Sequence, residues 1–282
     1  VTPYNEDLEI NYEKASEIAC HLADNGSDGI IVAGTTGESP VLSIQEKLQL
    51  LDTVKKAVGS RVQVWAGTGS YNTKESIELS RQAEEHGADG IMLVTPYYNK
   101  PSQEGLYLHF KSIAEKVSIP VMLYNVPGRT SCNLLPKTIK RLVEIDNILA
   151  IKEASGDMDQ VSLLSTMIKD KAIIYSGDDS LTLPIMSLGG QGVVSIASHI
   201  IGNDIKEMID AFVAGNMKKA TEIHLKLFPI FKGLFITTNP IPVKEALNML
   251  GMNVGGFRLP LTNASPQEKE AIKDLLQKNS LL

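Results

Sequence analysis

Seven short runs of apolar and β-branched residues recur along the chain, and stretches with helical periodicity separate them. The runs cover residues 28–34, 62–67, 89–95, 119–124, 148–152, 172–176 and 192–196. Near-continuous apolar runs are typical of parallel strands that helices cover on both faces. Val1 and Thr2, at the abrupt start of the chain, supply a stub of an eighth, truncated strand. Eight strands alternating with helices predict an α/β fold, a (β/α)8 TIM barrel.

Helix signals lie between the runs. Ser43 to Glu46 has the spacing of a capping box and opens an amphipathic stretch through Val58. Residues 73–86 and 104–117 show the same 3.6-residue period. The alternative is an open, doubly wound sheet, whose dinucleotide-binding form has G-x-G-x-x-G after the first strand. That motif is absent here.

The chain continues well beyond the last strand. Residues 204–214 can form the eighth barrel helix, and residues 218–235, 240–250 and 266–277 predict three more helices. Pro240 and Pro266 suit first-turn positions, and Gly251 suits a helix end. We therefore expect a barrel over residues 1–217 and a C-terminal helical appendage over residues 218–282, whose role is packing.

Composition narrows the possible functions. Hydrophobic residues make up 43% and charged residues 21%, as in a globular protein with a full-sized core. A formal net charge of −6 and an aromatic content of 5% argue against nucleic acid as a partner. Cys20 and Cys132 form no C-x-x-C pair, so we expect ordinary thiols. No apolar run reaches the ~18 residues of a membrane span, and the first residues do not resemble a signal peptide, so we expect a cytoplasmic protein without membrane association.

Barrels of this type carry their active sites at the C-terminal ends of the strands, where Lys152 follows a wholly apolar run. If Lys152 faces the barrel interior, burial lowers the pKa of its amine and frees it as a nucleophile for a carbonyl substrate. The alternative is a strand-end lysine that reaches water or pairs with Glu153. The pattern alone leaves both open.

Other strand ends carry groups that could assist such an amine. Tyr124 ends the neighbouring strand, where its phenol could shuttle protons, or could simply bond a backbone group. The loop from Gly34 to Gly37 offers the hydroxyls of Thr35 and Thr36 and free backbone N–H groups that could hold a carboxylate, or it could be an ordinary turn. Arg129 could bind a second carboxylate or remain a surface arginine.

Metal chemistry finds little support in the sequence. The histidines show no H-x-H or H-E-x-x-H spacing; they are His21, His86, His109, His199 and His224. Asp178 and Asp179 could bind a cation, but they suit a helix cap better. We expect no metal and no cofactor.

Taken together, the motifs at the strand ends resemble the 4-hydroxy-tetrahydrodipicolinate synthase (dihydrodipicolinate synthase) family of class I pyruvate-dependent aldolases and lyases. The resemblance covers essentially the whole chain. It is carried by Gly34-Thr35-Thr36-Gly37-Glu38-Ser39, Val94-Thr95-Pro96-Tyr97-Tyr98-Asn99, Tyr124-Asn125-Val126-Pro127-Gly128-Arg129-Thr130, Ile151-Lys152-Glu153-Ala154, Asn239-Pro240-Ile241-Pro242-Val243-Lys244 and Arg258-Leu259-Pro260.

The resemblance implies a function and a role for each residue. The reaction would condense pyruvate with L-aspartate 4-semialdehyde in lysine and diaminopimelate biosynthesis, through an imine between pyruvate and Lys152. The other roles would be a proton relay of Tyr124, Thr35 and Tyr98, a pyruvate pocket with Thr36, Val194 and Gly177, and capture of the semialdehyde carboxylate by Arg129. The family is usually a homotetramer, a dimer of tight dimers in which Tyr98 reaches the neighbouring subunit's site.

Relatives with the same barrel have other activities, which are alternative functions for this chain. N-acetylneuraminate lyase and keto-acid aldolases share the lysine and the tyrosine, whereas Arg129 and the doubled threonine before Glu38-Ser39 favour the synthase. A catalytically silent barrel used for binding is a third possibility, but Lys152, Tyr124 and Thr35 are all present.

The resemblance also bears on feedback by L-lysine, which binds at the tight dimer interface of regulated relatives. Ser39, Glu75 and Tyr97 match that pattern. Strongly regulated relatives carry histidine at the positions of Ile44 and Lys47 and asparagine at the position of Tyr71. We therefore expect weak inhibition by L-lysine or none.

Overall fold

The structure is a computed structural model that describes residues 1–282 and consists of two compact units. The first unit contains residues 1–63 and 196–282, and the second contains residues 64–195. Strands and helices alternate in both. The division at residue 217 into barrel and appendage stays a prediction.

All seven predicted apolar runs form strands. They are β1 (Gly29–Val32), β2 (Gln63–Gly67), β3 (Gly90–Val94), β4 (Val121–Asn125), β5 (Ile148–Glu153), β6 (Ile173–Ser176) and β7 (Gly192–Val193). Val1 and Thr2 form no strand. The Thr2 hydroxyl instead donates to the carbonyl of Gly37 at 2.6 Å. A two-residue segment that runs directly into Pro3 has too few N–H groups to make a ladder, so the expected stub is not seen.

Helices follow the strands, with short 3-10 turns at residues 39–41, 169–171 and 179–181. They are α1 (Tyr12–Asp24), α2 (Ile44–Val58), α3 (Thr73–Glu85), α4 (Gln103–Ala114), α5 (Pro127–Thr130), α6 (Pro136–Leu142), α7 (Met158–Ile168), α8 (Thr182–Ser187), α9 (Ser198–Val213), α10 (Met217–Gly233), α11 (Ile241–Met249) and α12 (Pro266–Lys278). None of them has the length and apolar character needed to cross a membrane.

In the second unit, β2 to β7 lie side by side in chain order as a parallel sheet. Its centre is buried: the side chains of Ile91, Leu93, Val121 and Leu123 are all inaccessible to solvent. Burial on both faces explains why these strands appear as unbroken apolar runs. The register sets Tyr124 opposite Lys152, and Lys152 opposite Tyr175.

The first unit carries both ends of the chain. The predicted capping box of α2 is confirmed: the Ser43 hydroxyl accepts from the N–H of Glu46 at 3.2 Å, and the Glu46 carboxylate accepts from the N–H of Ser43 at 2.8 Å. Helix α1 packs on α2, and the C-terminal helices pack in turn, α10 on α9 and α12 on α11. Each pairing buries the apolar face of an amphipathic helix.

Helix α9 begins earlier than the predicted residue 204, and a non-helical residue, Ile201, divides it. The next residue is Gly202, where an added Cβ would lie 2.0 Å from the carbonyl oxygen of Asn25. Only glycine permits so close an approach. A periodicity argument detects the helix but not the contact that interrupts it.

The two prolines that were expected in first turns differ. Pro240 caps α11 rather than lying in its first turn, whereas Pro266 does open α12.

Candidate active site

Lys152 lies near the end of β5 with its side chain buried, only 9% exposed. Burial excludes the alternative of a strand-end lysine that reaches water. Its strand neighbour Glu153 does not pair with it, because the Glu153 carboxylate accepts hydrogen bonds from the side chain of Asn125 and the N–H of Ser155, at 3.1 and 2.6 Å. Adjacent residues of a strand point to opposite faces, so the amine and the carboxylate are separated by the sheet.

The environment of Lys152 lowers the pKa of its amine from 10.5 to about 8. Desolvation is the largest cause, since burial disfavours the charged form. The negative charge of Asp179 acts in the opposite direction, and the positive charge of Arg129 lowers the pKa further. An appreciable fraction of the amine is therefore neutral near pH 7, which is the state that attacks a carbonyl carbon.

Tyr124 on β4 is the direct cross-strand neighbour of Lys152. The Lys152 Nζ lies 4.2 Å from the centroid of the Tyr124 ring, and the tyrosine is buried. The contact is with the face of the ring. A ring face attracts the protonated amine and, at the same time, keeps water from that side.

Gly177, directly after β6, gives the lysine room. A Cβ at this position would lie 2.7 Å from the Cβ of Ala154 and 3.1 Å from the Cε of Lys152. Any larger residue would clash with Ala154 and press against the lysine stem. Close packing around Lys152 thus explains why glycine occupies position 177 of the candidate site.

The adjacent acidic residues Asp178 and Asp179 behave differently from each other. Asp178 accepts from the N–H and the hydroxyl of Ser180 at 2.8 and 2.7 Å, as expected for a helix cap. Asp179 is buried, and its carboxylate accepts a short hydrogen bond from the hydroxyl of Ser195. The negative charge of Asp179 also acts on the amine of Lys152. No group of three or more His, Cys, Asp or Glu could hold a metal ion.

A buried polar network on the other face of β4 and β5 was not apparent from the sequence. The Asn125 Nδ2 donates to Glu153 Oε2 at 3.1 Å and to Asn133 Oδ1 at 2.9 Å. Asn133 and Gln160 exchange two further bonds, at 2.8 and 3.1 Å. The Asn125–Glu153 pair joins the two strands one residue beyond Tyr124 and Lys152, and so holds the register of those residues. Its members are far apart in sequence, which hides the network from motif analysis.

Other predicted residues of this unit lie at its surface or edge. Arg129 is exposed on α5, and its charge acts on Lys152. Tyr98 is 90% exposed and has a left-handed φ of 71°, while its neighbour Tyr97 packs edge-on against Tyr71 with ring centroids 5.1 Å apart. Val194 is half-buried, and its N–H donates to the carbonyl of Ser176 at 2.8 Å.

Thr35 and Thr36 belong to the first unit and lie in a tight turn. The N–H groups of Gly37 and Ser39 both donate to the carbonyl of Gly34, at 3.1 and 3.3 Å. Thr36 also contacts Asn239, since the Asn239 Nδ2 donates to its hydroxyl oxygen at 3.0 Å. Glu38, which ends the turn, forms a fully buried ion pair with Lys244 at 2.8 Å. Residues of the C-terminal segment therefore contact this loop directly.

The chain is similar to known proteins over its whole length. The model of the "Dihydrodipicolinate synthetase family" matches residues 1–279. The 4-hydroxy-tetrahydrodipicolinate synthase of Desulforudis audaxviator is 58% identical over 282 residues, which cover 100% of this chain and 96% of that protein.

Solved structures give the same result. The dihydrodipicolinate synthase DapA-2 of Bacillus anthracis is 49% identical, with a TM-score of 0.96 over 98% of this chain and 95% of that one. The Acinetobacter baumannii enzyme, solved in complex with pyruvate, is 38% identical, with a TM-score of 0.97 over 100% of this chain and 97% of that one. The fold is therefore a (β/α)8 TIM barrel with a C-terminal helical extension. The chain is an enzyme, a lyase, and it belongs to the dihydrodipicolinate synthetase family.

Proposed function

We propose that this chain condenses pyruvate with L-aspartate 4-semialdehyde to form 4-hydroxy-tetrahydrodipicolinate, a step of lysine and diaminopimelate biosynthesis. The observation that carries the proposal is the buried amine of Lys152, whose pKa is lowered to about 8, held against the ring of Tyr124. The relative from D. audaxviator, 58% identical over the whole chain, bears the name of this activity.

The first step forms an imine. The neutral amine of Lys152 attacks the ketone carbon of pyruvate, and the resulting carbinolamine loses water. A proton must reach the departing hydroxyl, and Tyr124 is the acid–base group next to the amine. We assign the relay to Tyr124, Thr35 and Tyr98, with Tyr98 supplied by a neighbouring subunit.

The second step makes the carbon–carbon bond. The imine loses a proton from its methyl group and becomes an enamine, whose carbon attacks the aldehyde carbon of the semialdehyde while the aldehyde oxygen takes up a proton. Thr36 and the loop amides hold the pyruvate carboxylate, with Val194 and Gly177 lining the pocket. Arg129 binds the carboxylate of the semialdehyde, and its exposure on α5 leaves it accessible to an incoming substrate.

The last step closes the ring. The amine of the semialdehyde portion attacks the imine carbon and displaces the Lys152 amine, which returns to its starting state. Electrons and protons balance without an oxidant, a metal or a cofactor. We propose that the working enzyme is a cytoplasmic homotetramer, a dimer of tight dimers.

The direct test is an assay of the purified protein with pyruvate and L-aspartate 4-semialdehyde, and separately with N-acetylneuraminate. Turnover of the first pair alone supports the proposal. Cleavage of N-acetylneuraminate at a comparable rate would favour the lyase relatives instead. No turnover of either would favour a barrel used for binding.

Arg129→Ala tests the substrate assignment. Loss of a charge-assisted contact made in the transition state costs about 2–4 kcal/mol, so kcat/KM for the semialdehyde should fall roughly 30-fold or more. Covalent trapping of pyruvate should survive. Arg81→Ala is the control, because Arg81 is an exposed arginine of the same unit with a long 3.9 Å ion pair to Glu85. Equal loss of pyruvate trapping in Arg129→Ala would contradict the assignment.

A further inference from the structure

The loop that carries Thr35 and Thr36 is bonded to the C-terminal segment through the side chain of Asn239. Two contacts join Asn239 to Thr36: the Asn239 Nδ2 donates to the threonine Oγ1 at 3.0 Å, and the Thr36 hydroxyl can donate to the Asn239 Oδ1 at 3.4 Å. Asn239 is buried, whereas Thr36 is partly exposed. The 3.4 Å contact is longer than the roughly 2.5–3.0 Å of an O–H···O bond, so donation from the amide N–H to the threonine oxygen is the stronger contact.

This direction of donation matters because a hydroxyl has one proton and two lone pairs. When Asn239 occupies a lone pair of Thr36, the threonine proton remains available to another acceptor. A carboxylate is an acceptor only, so it needs that proton. Asn239 thus holds the Thr36 hydroxyl as a donor toward an anion.

A second contact fixes the far end of the same loop. Lys244 and Glu38 are both fully buried, and the lysine also donates to the carbonyls of Thr2 and Gly256 at 2.9 and 2.5 Å. Its ammonium lies over the rings of Tyr4 and Phe257, with centroids at 4.4 and 4.7 Å. All three donors of the ammonium are used. Glu38, with a left-handed φ of 58°, is therefore held in place directly after the threonine turn.

We propose that Asn239 is a positioning residue of the C-terminal segment that directs the Thr36 hydroxyl proton toward the substrate carboxylate. The inference rests on the proposed function, in which Thr36 binds the carboxylate of pyruvate. It gives residues 218–282 a part in substrate binding beyond packing. Asn239 acts through Thr36 and does not itself contact the substrate.

The test compares two substitutions by the pyruvate concentration that half-saturates borohydride trapping on Lys152. Asn239→Ala removes the orientation of the hydroxyl, so this concentration should rise about tenfold, near the effect of one lost charge-assisted hydrogen bond. Asn239→Asp should raise it more, at least 30-fold, because a carboxylate accepts the Thr36 proton and adds a negative charge beside the anion. KM for the semialdehyde should change less than KM for pyruvate in both variants.

A merely structural role predicts the reverse order, since aspartate is isosteric with asparagine and disturbs packing less than alanine. The isosteric variant also keeps the test decisive if the alanine variant does not fold. Asn248→Ala is the matched control. It removes another asparagine of the same segment, one that bonds the backbone of Val254 and Gly255 at 2.7 and 3.0 Å. It should change the half-saturating concentration less than twofold.

A double-mutant cycle with Thr36→Val completes the test. Once the hydroxyl is absent, Asn239→Ala should add less than a twofold further change. Fully multiplicative effects, or an aspartate variant that binds pyruvate as well as the alanine variant, would overturn the inference while leaving the proposed function intact. A wild-type chain that forms no pyruvate adduct would overturn both.

Discussion

At the scale of single residues, the chemistry depends on the opposing effects that burial and nearby charges have on the pKa of the Lys152 amine. Burial and the charge of Arg129 lower the pKa of its amine, Asp179 raises it, and the net result is a value of about 8. About one amine in ten is then neutral at pH 7, against about one in three thousand for an ordinary lysine. The neutral, nucleophilic form of the amine is thus about 300-fold more abundant at pH 7 than in an ordinary lysine.

The first prediction is the pH dependence of imine formation. Only the neutral amine reacts, so the rate of pyruvate trapping at low pyruvate should rise about tenfold per unit below pH 8 and level off above it. Asp179→Asn removes the contribution that raises the pKa and should move the midpoint to lower pH. Arg129→Ala should move it to higher pH. Shifts in the same direction for both variants would contradict the electrostatic account.

The second prediction concerns His109, which is buried on α4 with its Nδ1 2.9 Å from the Thr73 hydroxyl and its Nε2 without a partner. Burial lowers the pKa of this histidine from 6.5 to about 4. Between these values the unfolded chain binds the proton and the folded chain does not, so stability falls as the pH falls through this window. The contribution is about 3 kcal/mol.

Urea unfolding between pH 7 and pH 4 checks this prediction. Wild type should lose more stability than His109→Gln over the window, and the exposed His86→Gln should behave as wild type. Parallel pH dependences of wild type and His109→Gln would show that the buried imidazole does not control acid stability.

At the scale of elements, the candidate site lies at the ends of the strands, and close packing there leaves no room for a larger side chain. The third prediction uses Gly177, where a Cβ would meet Ala154 and the Lys152 stem at 2.7 and 3.1 Å. Gly177→Ala should reduce the rate of pyruvate trapping at least tenfold by displacing the amine, and overpacking should cost about 1–3 kcal/mol of stability. Gly29→Ala is the control, since its Cβ would make an ordinary 3.4 Å contact. Trapping at the wild-type rate in Gly177→Ala would contradict this packing argument.

At this scale, several strands and one helix start could be predicted from the sequence. Strands β3 to β5 appeared as apolar runs because burial on both faces leaves a one-dimensional signal. The α2 capping box appeared because its partners are three residues apart. Strand β7 ends at Val193 rather than Ile196, and the chain bonds beyond it through the N–H of Val194. The Asn125–Asn133–Gln160 network and the Asn239–Thr36 contact join residues from distant segments, and neither leaves a local pattern.

At the scale of the whole molecule, the motifs indicated the family and the nucleophile, but the supporting charges came only from the structure. Lys152 could be located because four apolar residues precede it. The effect of Asp179 on the pKa of Lys152 could not be predicted, because a helix cap explains an Asp-Asp pair equally well. Only the structure shows Asp179 buried against Ser195.

The fourth prediction is that L-lysine inhibits weakly or not at all. Ile44 cannot replace the hydrogen bond of a histidine, and Lys47 adds a positive charge near a cationic ligand, at a cost of about 1 kcal/mol or more. Tyr71 uses its ring to pack against Tyr97, where the strongly regulated relatives carry asparagine. A calorimetric titration with a parallel activity assay checks this. Sub-millimolar binding accompanied by inhibition would contradict it.

The measurement that tests the central claim most directly is borohydride trapping of pyruvate followed by peptide mapping. The chain offers an internal control in Lys244, a second buried lysine whose ammonium is occupied by Glu38 and two carbonyls. The account predicts one adduct per chain, located on Lys152 and absent from Lys152→Ala. An adduct on Lys244 or any other lysine, or no adduct at all, would contradict the assignment of Lys152 as the nucleophile.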